Sequence, residues 1–272
     1  MLTRILLRPA RLTGLLLACL SPSVFACLLT IGVVPQFEQR KLLEIWQPIM
    51  DELSAAMECR IDLAGSENIP DFEAKFSAGK FDVAYMNPYH AVMAHQTQGY
   101  EPIFRSSVPL QGVLVVQQNS PLRDIRELQG QSVAFPSPNA LGASLLMRAE
   151  LQSLHGIVVE PRYVNTHPSV YLHVAKGLTM AGGGIQKTLD EQPQVIRDRL
   201  RVLYTTRATP SHPLVIHPRV PKAVSTSLIS SLQELAKQQP YLFDAIPMSK
   251  PIRTSFADYA PVADLHLEQF QE

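Results

Sequence analysis

The sequence predicts an α/β protein made of two layered units. Strand-like and helix-like stretches alternate along most of the chain, and the alternation starts afresh after Gly112. A length of 272 residues, 46% of them hydrophobic, is enough for one large or two modest cores. Proline, at 22 residues against 13 glycines, favours fixed turns and helix starts over flexible linkers.

The first series opens with Leu28 to Val34, an apolar run that stops at Pro35 and reads as a strand. Leu42, Leu43, Trp46, Ile49, Met50, Leu53 and Met57 then follow one helical face. Ile61 to Leu63 is expected to be a second strand, Pro70 to Ala78 a short helix opened by proline, and Phe81 to Met86 a third strand ending before Asn87-Pro88. That order, β-α-β-α-β, implies a parallel sheet covered by helices.

In the second series Val113 to Gln117 and Ser132 to Phe135 read as strands, and Asn139 to His155 as a helix with Asn139 as N-cap and Gly156 as its stop. Strand Val158 to Tyr163, helix Pro168 to Lys176, strand Thr179 to Gly182 and strand Arg201 to Thr205 follow. Leu214 to Ile216 is expected as a strand and Val220 to Gln238 as a long amphipathic helix. No internal repeat is visible.

Residues 1–26 are expected to be a signal peptide. Arg4, Arg8 and Arg11 precede the apolar run Leu15 to Leu20, and Ser21 to Ala26 supplies small residues suited to cleavage. A retained amphipathic anchor is the alternative; the apolar run is far short of the roughly 20 residues that span a bilayer. Removing these residues leaves 21 basic and 24 acidic side chains, a formal charge of −3.

In an exported chain disulfides persist. Cys19 would leave with the leader, while Cys27 and Cys59 each stand just before an expected strand, so neighbouring parallel strands would bring them together as a disulfide. Lipid attachment is the rival, since Leu16-Leu17-Ala18-Cys19 and Val24-Phe25-Ala26-Cys27 have some likeness to lipoprotein cleavage sites.

Composition and motifs exclude several classes. A chain with 18% charged residues and no basic excess has no electrostatic footprint for nucleic acid. The eight histidines show no i, i+4 pair with a nearby acid, and a zinc site needs three or four converging ligands, so no metal site is expected. There is no Gly-x-Ser-x-Gly elbow, no phosphate-binding loop and no Gly-x-Gly-x-x-Gly, so neither a catalytic residue nor a cofactor is expected.

Three stretches together resemble the phosphate, phosphite and phosphonate-binding proteins of bacterial ABC importers. They are Thr30-Ile31-Gly32-Val33-Val34-Pro35; Gly79-Lys80-Phe81-Asp82-Val83-Ala84-Tyr85-Met86-Asn87-Pro88-Tyr89-His90; and the segment from Gly130-Gln131-Ser132-Val133-Ala134-Phe135 through Thr166-His167-Pro168-Ser169-Val170-Tyr171 to Ala181-Gly182-Gly183-Gly184. The resemblance implies a two-lobed periplasmic binding protein of type 2, each lobe a mainly parallel sheet flanked by helices, with two hinge crossings. Lobe one would comprise residues 27–112 and 208–272, and lobe two residues 113–207.

The resemblance also implies a site. Helix N-termini suit anions because they offer free backbone N–H groups, and relatives place a Ser-Thr-Ser run at the helix start that here reads Ser137-Pro138-Asn139-Ala140-Leu141-Gly142. The matching positions are Ala140, Leu141 and Gly142, so their backbone amides, with Asn139 and Ser137 or Ser144, are expected to serve instead of hydroxyls. Tyr85, Asn87 or Tyr89 would contact the ligand from the other lobe, where the family's usual tyrosine is replaced by Ala91. His167 matches a family histidine, Gly184 permits close backbone approach, and Gln36, with Phe37, follows the first strand towards the cleft. Gly184, Gln186 and His212 stand where aminophosphonate binders carry carboxylates, so a ligand with an amine is disfavoured.

The expected function is therefore a periplasmic solute-binding protein, acting as a monomer, that captures a small phosphate-, phosphite- or phosphonate-like anion for the permease of an ABC importer. The alternative is a sensor subunit that presents its closed form to a membrane receptor or histidine kinase.

Overall fold

The computed structural model describes residues 27–271; the leader expected over residues 1–26 lies outside them. Two sheets form the framework. The first is built from β1 (Leu28–Val33), β2 (Arg60–Ala64), β3 (Val83–Tyr85), β4 (Glu101–Ser106), β10 (Pro213–Ile216) and β11 (Pro251–Arg253), in the order β11-β4-β10-β3-β1-β2. The second, in the order β7-β6-β8-β5-β9, contains β5 (Gly112–Gln117), β6 (Ser132–Phe135), β7 (Glu160–Tyr163), β8 (Ala181–Ile185) and β9 (Leu200–Thr205).

Helices α1 (Gln39–Met57), α2 (Ile69–Ser77) and α3 (Pro88–Gln98) belong to the first lobe, as do α8 (Lys222–Gln238), α9 (Pro240–Ala245) and α10 (Ala260–Ala263). The second lobe carries α4 (Leu146–His155), α5 (His167–Ala175), α6 (Gln186–Asp190) and α7 (Gln194–Arg197). In α1 the buried residues Leu42, Trp46, Ile49, Met50 and Leu53 form one stripe, as the spacing predicts, but Leu43 turns to solvent and Met57, at the last turn, is only partly buried. Among the described residues no helix is long and apolar enough to cross a membrane.

The expected mainly parallel sheets are mixed. β1 pairs in parallel with β2 and β3, and β6 with β7 and β8, but β10 and β5 run antiparallel to their neighbours. The reason is connectivity: each of these strands enters its sheet from the other lobe and so arrives from the opposite end. β4, which the sequence reading leaves out, is the strand that leads into the first crossing.

The two crossings are tied to each other. Leu110 and Thr209 exchange both backbone hydrogen bonds, each 2.9 Å, as an isolated antiparallel bridge. Gly112 N donates to Thr206 Oγ1 at 2.9 Å, and Ser211 Oγ to Ser106 O at 2.7 Å. Near the amino terminus of the described chain Cys27 and Cys59 form a disulfide with their Cα atoms 4.9 Å apart, beside the parallel register that pairs Leu28 with Arg60.

The helix expected over 139–155 starts differently. Leu141–Leu145 is a π-helical turn that runs into α4, and Asn139 does not cap it. Ala140 O accepts from both Ser144 N (2.8 Å) and Leu145 N (3.2 Å), the second being the i→i+5 bond of the wide turn. The turn presses on the hinge: a Cβ on Gly112 would overlap Gly142 O. The strand expected to end at Gly182 continues through Gly183 and Gly184 to Ile185, since all three glycines pack too tightly against helix α5, Phe135 or the π-turn for a side chain.

Candidate functional site

Three helices in the cleft start at polar caps followed by proline, which sets where their side chains fall. Asn87 Oδ1 accepts from His90 N at 2.8 Å to start α3, and Thr166 Oγ1 accepts from Ser169 N at 3.3 Å to start α5. Asn68 does the same for α2 with Asp71 N at 2.9 Å. The first two caps place Asn87 and His167 at the inner ends of their helices, facing each other across the lobes.

Between the lobes lies a void of about 10 Å³, roughly the room of one water. Its polar lining is Gln36, Asn87, His167 and His212, and Val34, Ile69, Leu141 and Ile185 supply apolar wall. Ala140 and Gly142 complete the side formed by the π-turn. A second space of about 90 Å³ adjoins it, sharing Gln36, Ile185 and His212 and reaching Tyr85, Leu110 and Lys187. No carboxylate lines either space.

Gln36 holds the two lobes' histidines in one place. Its carbonyl accepts from His167 N at 3.4 Å, and its side-chain nitrogen lies 3.3 Å from His212 Nε2. His167 Nδ1 is 3.2 Å from Thr188 Oγ1, which donates to Ile185 O and pairs with the Tyr171 hydroxyl at 2.8 Å. The Tyr85 ring stacks on His212 with centroids 5.5 Å apart. Burial pushes the His167 imidazole down to about 4, and burial with the nearby His167 and His90 pushes His212 down to about 3. Both rings are therefore neutral at pH 7.

A second polar contact closes the cleft beside the void. Asn87 Nδ2 donates to Asn139 O at 3.1 Å, and Asn139 Nδ2 donates to Glu73 Oε2 at 3.2 Å. Glu73 Oε1 pairs with the buried His90 Nε2 at 2.8 Å. Burial opposes the Glu73 charge, but the bonds from His90 and Asn139 outweigh it and hold the carboxyl below its ordinary range.

The expected site residues divide. Gln36, Asn87, Ala140, Leu141, Gly142 and His167 line the central void, and Tyr85 lines the adjoining space with its hydroxyl bonded to Pro247 O. Asn139, Ser137, Tyr89 and Gly184 line neither space. Asn139 is engaged with Glu73; Ser137 and Ser144 are buried with hydroxyls that have no partner among the described residues; Tyr89 accepts from Gln271; and Gly184 is packed against Tyr171.

The sequence reading missed His212 as a lining residue and missed the Glu73–His90 pair. His212 was visible only as a departure from a carboxylate, and Glu73 and His90 lie 17 positions apart on different helices. Among the described residues no group of three metal-ligating side chains converges.

The chain matches the family model described as ABC transporter, phosphonate, periplasmic substrate-binding protein over residues 31–259. Its fold is similar to that of PhnD1 from Prochlorococcus marinus in complex with methylphosphonate, with a TM-score of 0.82 at 16% identity over 90% of this chain and 99% of that one. It is also similar to a binding protein component of an ABC phosphonate transporter from Pseudomonas aeruginosa (TM-score 0.73, 15% identity, 88% of this chain and 85% of that one). A Xanthomonas citri protein bound to chloride ion aligns with a TM-score of 0.72 at 17% identity, over 89% of this chain and 98% of that one. At these identities the likeness is one of fold.

Proposed function

Since the chain belongs to the family of periplasmic substrate-binding proteins of phosphonate ABC transporters, we propose that its ligand is a small phosphorus oxyanion with at most a short apolar substituent. The observation that carries this reading is the lining of the cleft: two imidazoles and two carboxamides contributed by both lobes, with apolar walls and no carboxylate. Amide and imidazole N–H groups, with the backbone of the π-turn, would hold the oxygens. A substituent would lie towards Val108, Pro109 and Leu110 in the adjoining space. An ammonium group would find no counter-charge there, which argues against aminoalkyl phosphonates.

The spaces are small, so admission of a tetrahedral anion requires the lobes to part and re-close around it, the hinge motion of two-lobed binding proteins. The bound, closed form is what an importer permease would receive. The protein is expected to do this as a monomer.

Thermal unfolding of extensively dialysed protein tests the reading against phosphate, phosphite, methylphosphonate, 2-aminoethylphosphonate and sulfate. At a hundredfold excess over its dissociation constant a ligand adds about 2.7 kcal/mol, a shift of roughly 5–10 °C for a chain of this size. The expected result is a shift with phosphite or methylphosphonate and none with the aminoalkyl compound. No shift with any phosphorus oxyanion overturns the assignment.

A further inference from the structure

The central void holds no fixed positive charge, although the family's ligands are anions. No lysine or arginine lines that void; Lys187, which lines the adjoining space, is paired with Glu191 at 3.0 Å and directed to Asp244 O at 3.4 Å. An unscreened anion in a dry site is costly, and the cost is met either by many neutral donors or by a proton that enters with the anion.

Two side chains are placed to take that proton. His167 and His212 are only 2% and 7% exposed, come from opposite lobes and line one void. One nitrogen of each ring is engaged, His167 Nδ1 by Thr188 and His212 Nε2 by Gln36. Among the described residues the other nitrogen of each, His167 Nε2 and His212 Nδ1, makes no hydrogen bond. With the Gln36 amide nitrogen facing it, His212 Nε2 is the acceptor, so the neutral ring carries its proton on Nδ1.

We propose that anion capture is proton-coupled: the oxyanion is taken up together with about one proton from solvent, held by the His167–His212 pair. This rests on the oxyanion reading above and deepens it. The other titratable groups around the pair do not compete. Tyr85, stacked on His212, is pushed well up by burial, and Tyr171, which reaches His167 through Thr188, is likewise pushed up. His90 is tied to Glu73, and Glu191 to Lys187.

Protonation of either ring is unfavourable while the void is unoccupied by charge, since both are held neutral by burial. An adjacent anion reverses that balance for one of them. Thr188 Oγ1 donates to Ile185 O, so His167 Nδ1 carries that ring's hydrogen and its bare Nε2 takes the proton, while His212 stays neutral and donates through Nδ1. Affinity would rise about tenfold for each unit of falling pH wherever the anion's own charge is constant.

Calorimetry with methylphosphonate at about pH 8.5, in two buffers of different ionisation enthalpy, counts the protons taken up on binding. The expected result is about one per site in the wild type and none in the double variant His167→Gln/His212→Gln, which also binds at least tenfold more weakly. Binding by the wild type without uptake overturns the proposal and leaves the oxyanion reading standing. Uptake that persists in the double variant also overturns it, because the ligand then carries the proton. Failure of phosphate, phosphite and methylphosphonate alike to bind removes both. Should the double variant not fold, imidazole nitrogen shifts in the wild type decide: one ring must become protonated when methylphosphonate is added, and two unchanged neutral rings refute the coupling.

Discussion

Asn87 donates from its side-chain nitrogen to the main-chain carbonyl of Asn139, 3.1 Å away in the other lobe, while its oxygen caps α3 at His90 N. One side chain therefore starts a helix and fastens the cleft. Asn87→Asp keeps the acceptor for the cap and removes the donor to Asn139; Asn87→Ala removes both. The expected loss for Asn87→Ala is about 1–3 kcal/mol, from a missing cap and a missing buried hydrogen bond. Asn87→Asp should retain helix stability but shift the molecule towards an open form, read as a larger radius of gyration in solution scattering. Equal radii for all three proteins would show that the contact does not hold the lobes.

The buried histidines predict how stability depends on pH. Each ring has an ordinary value near 6.5 and is held lower in the fold, His167 at about 4 and His212 at about 3. The unfolded chain therefore binds more protons between these values, so stability is fully present above pH 6.5 and falls as pH drops through that window. With both rings contributing, the slope approaches about 2.7 kcal/mol per pH unit near pH 5. The Glu73 carboxyl adds its loss only at lower pH, since its depressed value falls below the ordinary carboxylate range. Urea unfolding at pH 7 and pH 5 checks this, and His212→Gln should flatten the curve.

Cys27 and Cys59 close a loop with a sequence separation of 32 across the first parallel pair. Loop-closure entropy makes that link worth about 3–4 kcal/mol. Mature protein purified without reductant should show no thiol reactive towards maleimide after unfolding in urea. Reduction should lower the unfolding midpoint, and the Cys27→Ser/Cys59→Ser protein should match the reduced form. Two reactive thiols per unreduced chain would refute the pairing.

Gly112 and Gly142 meet where the hinge touches the π-turn, and their substitutions should differ. A Cβ on Gly112 runs into the Gly142 backbone, which cannot step aside, whereas one on Gly142 meets side-chain atoms of Ile185 and Leu110 at 3.2 and 3.4 Å. Gly112→Ala is expected to cost about 1–3 kcal/mol by overpacking, and Gly142→Ala clearly less, since the side chains it meets can yield by a few tenths of an ångström. Denaturant midpoints of the two variants provide the comparison.

Most of the strand-helix order was legible because each element repeats at its own period: the α1 stripe from Leu42 to Leu53 and the runs at Leu28 and Ser132 are local signals. What was not legible depended on partners far away in the chain. The antiparallel placement of β5 and β10 follows from the crossings and leaves no mark in either strand's composition. Asn139 has the residue type and position of an N-cap, yet its amide is used across the cleft on Glu73, and the π-turn behind it comes from an extra residue that no spacing pattern announces. Among the lining residues, Gln36, Asn87 and His167 were expected from the resemblance to phosphonate-binding proteins, and each stands at the end of a strand or the start of a helix. His212 was overlooked because a residue just past a hinge crossing has no period to betray its direction.

A central void of only about 10 Å³, walled partly by Leu141 and Ile185, has a kinetic meaning. Nothing larger than water fits that central void without separation of the lobes, so capture there waits on opening. The observed association rate should then level off as solute concentration rises, at the opening rate of the hinge. Apparent affinity is weakened by the scarcity of the open form. Exposing Leu141 and its apolar neighbours to water makes that form scarce, so the residues standing where relatives carry hydroxyls would govern how fast the protein loads as well as what it binds.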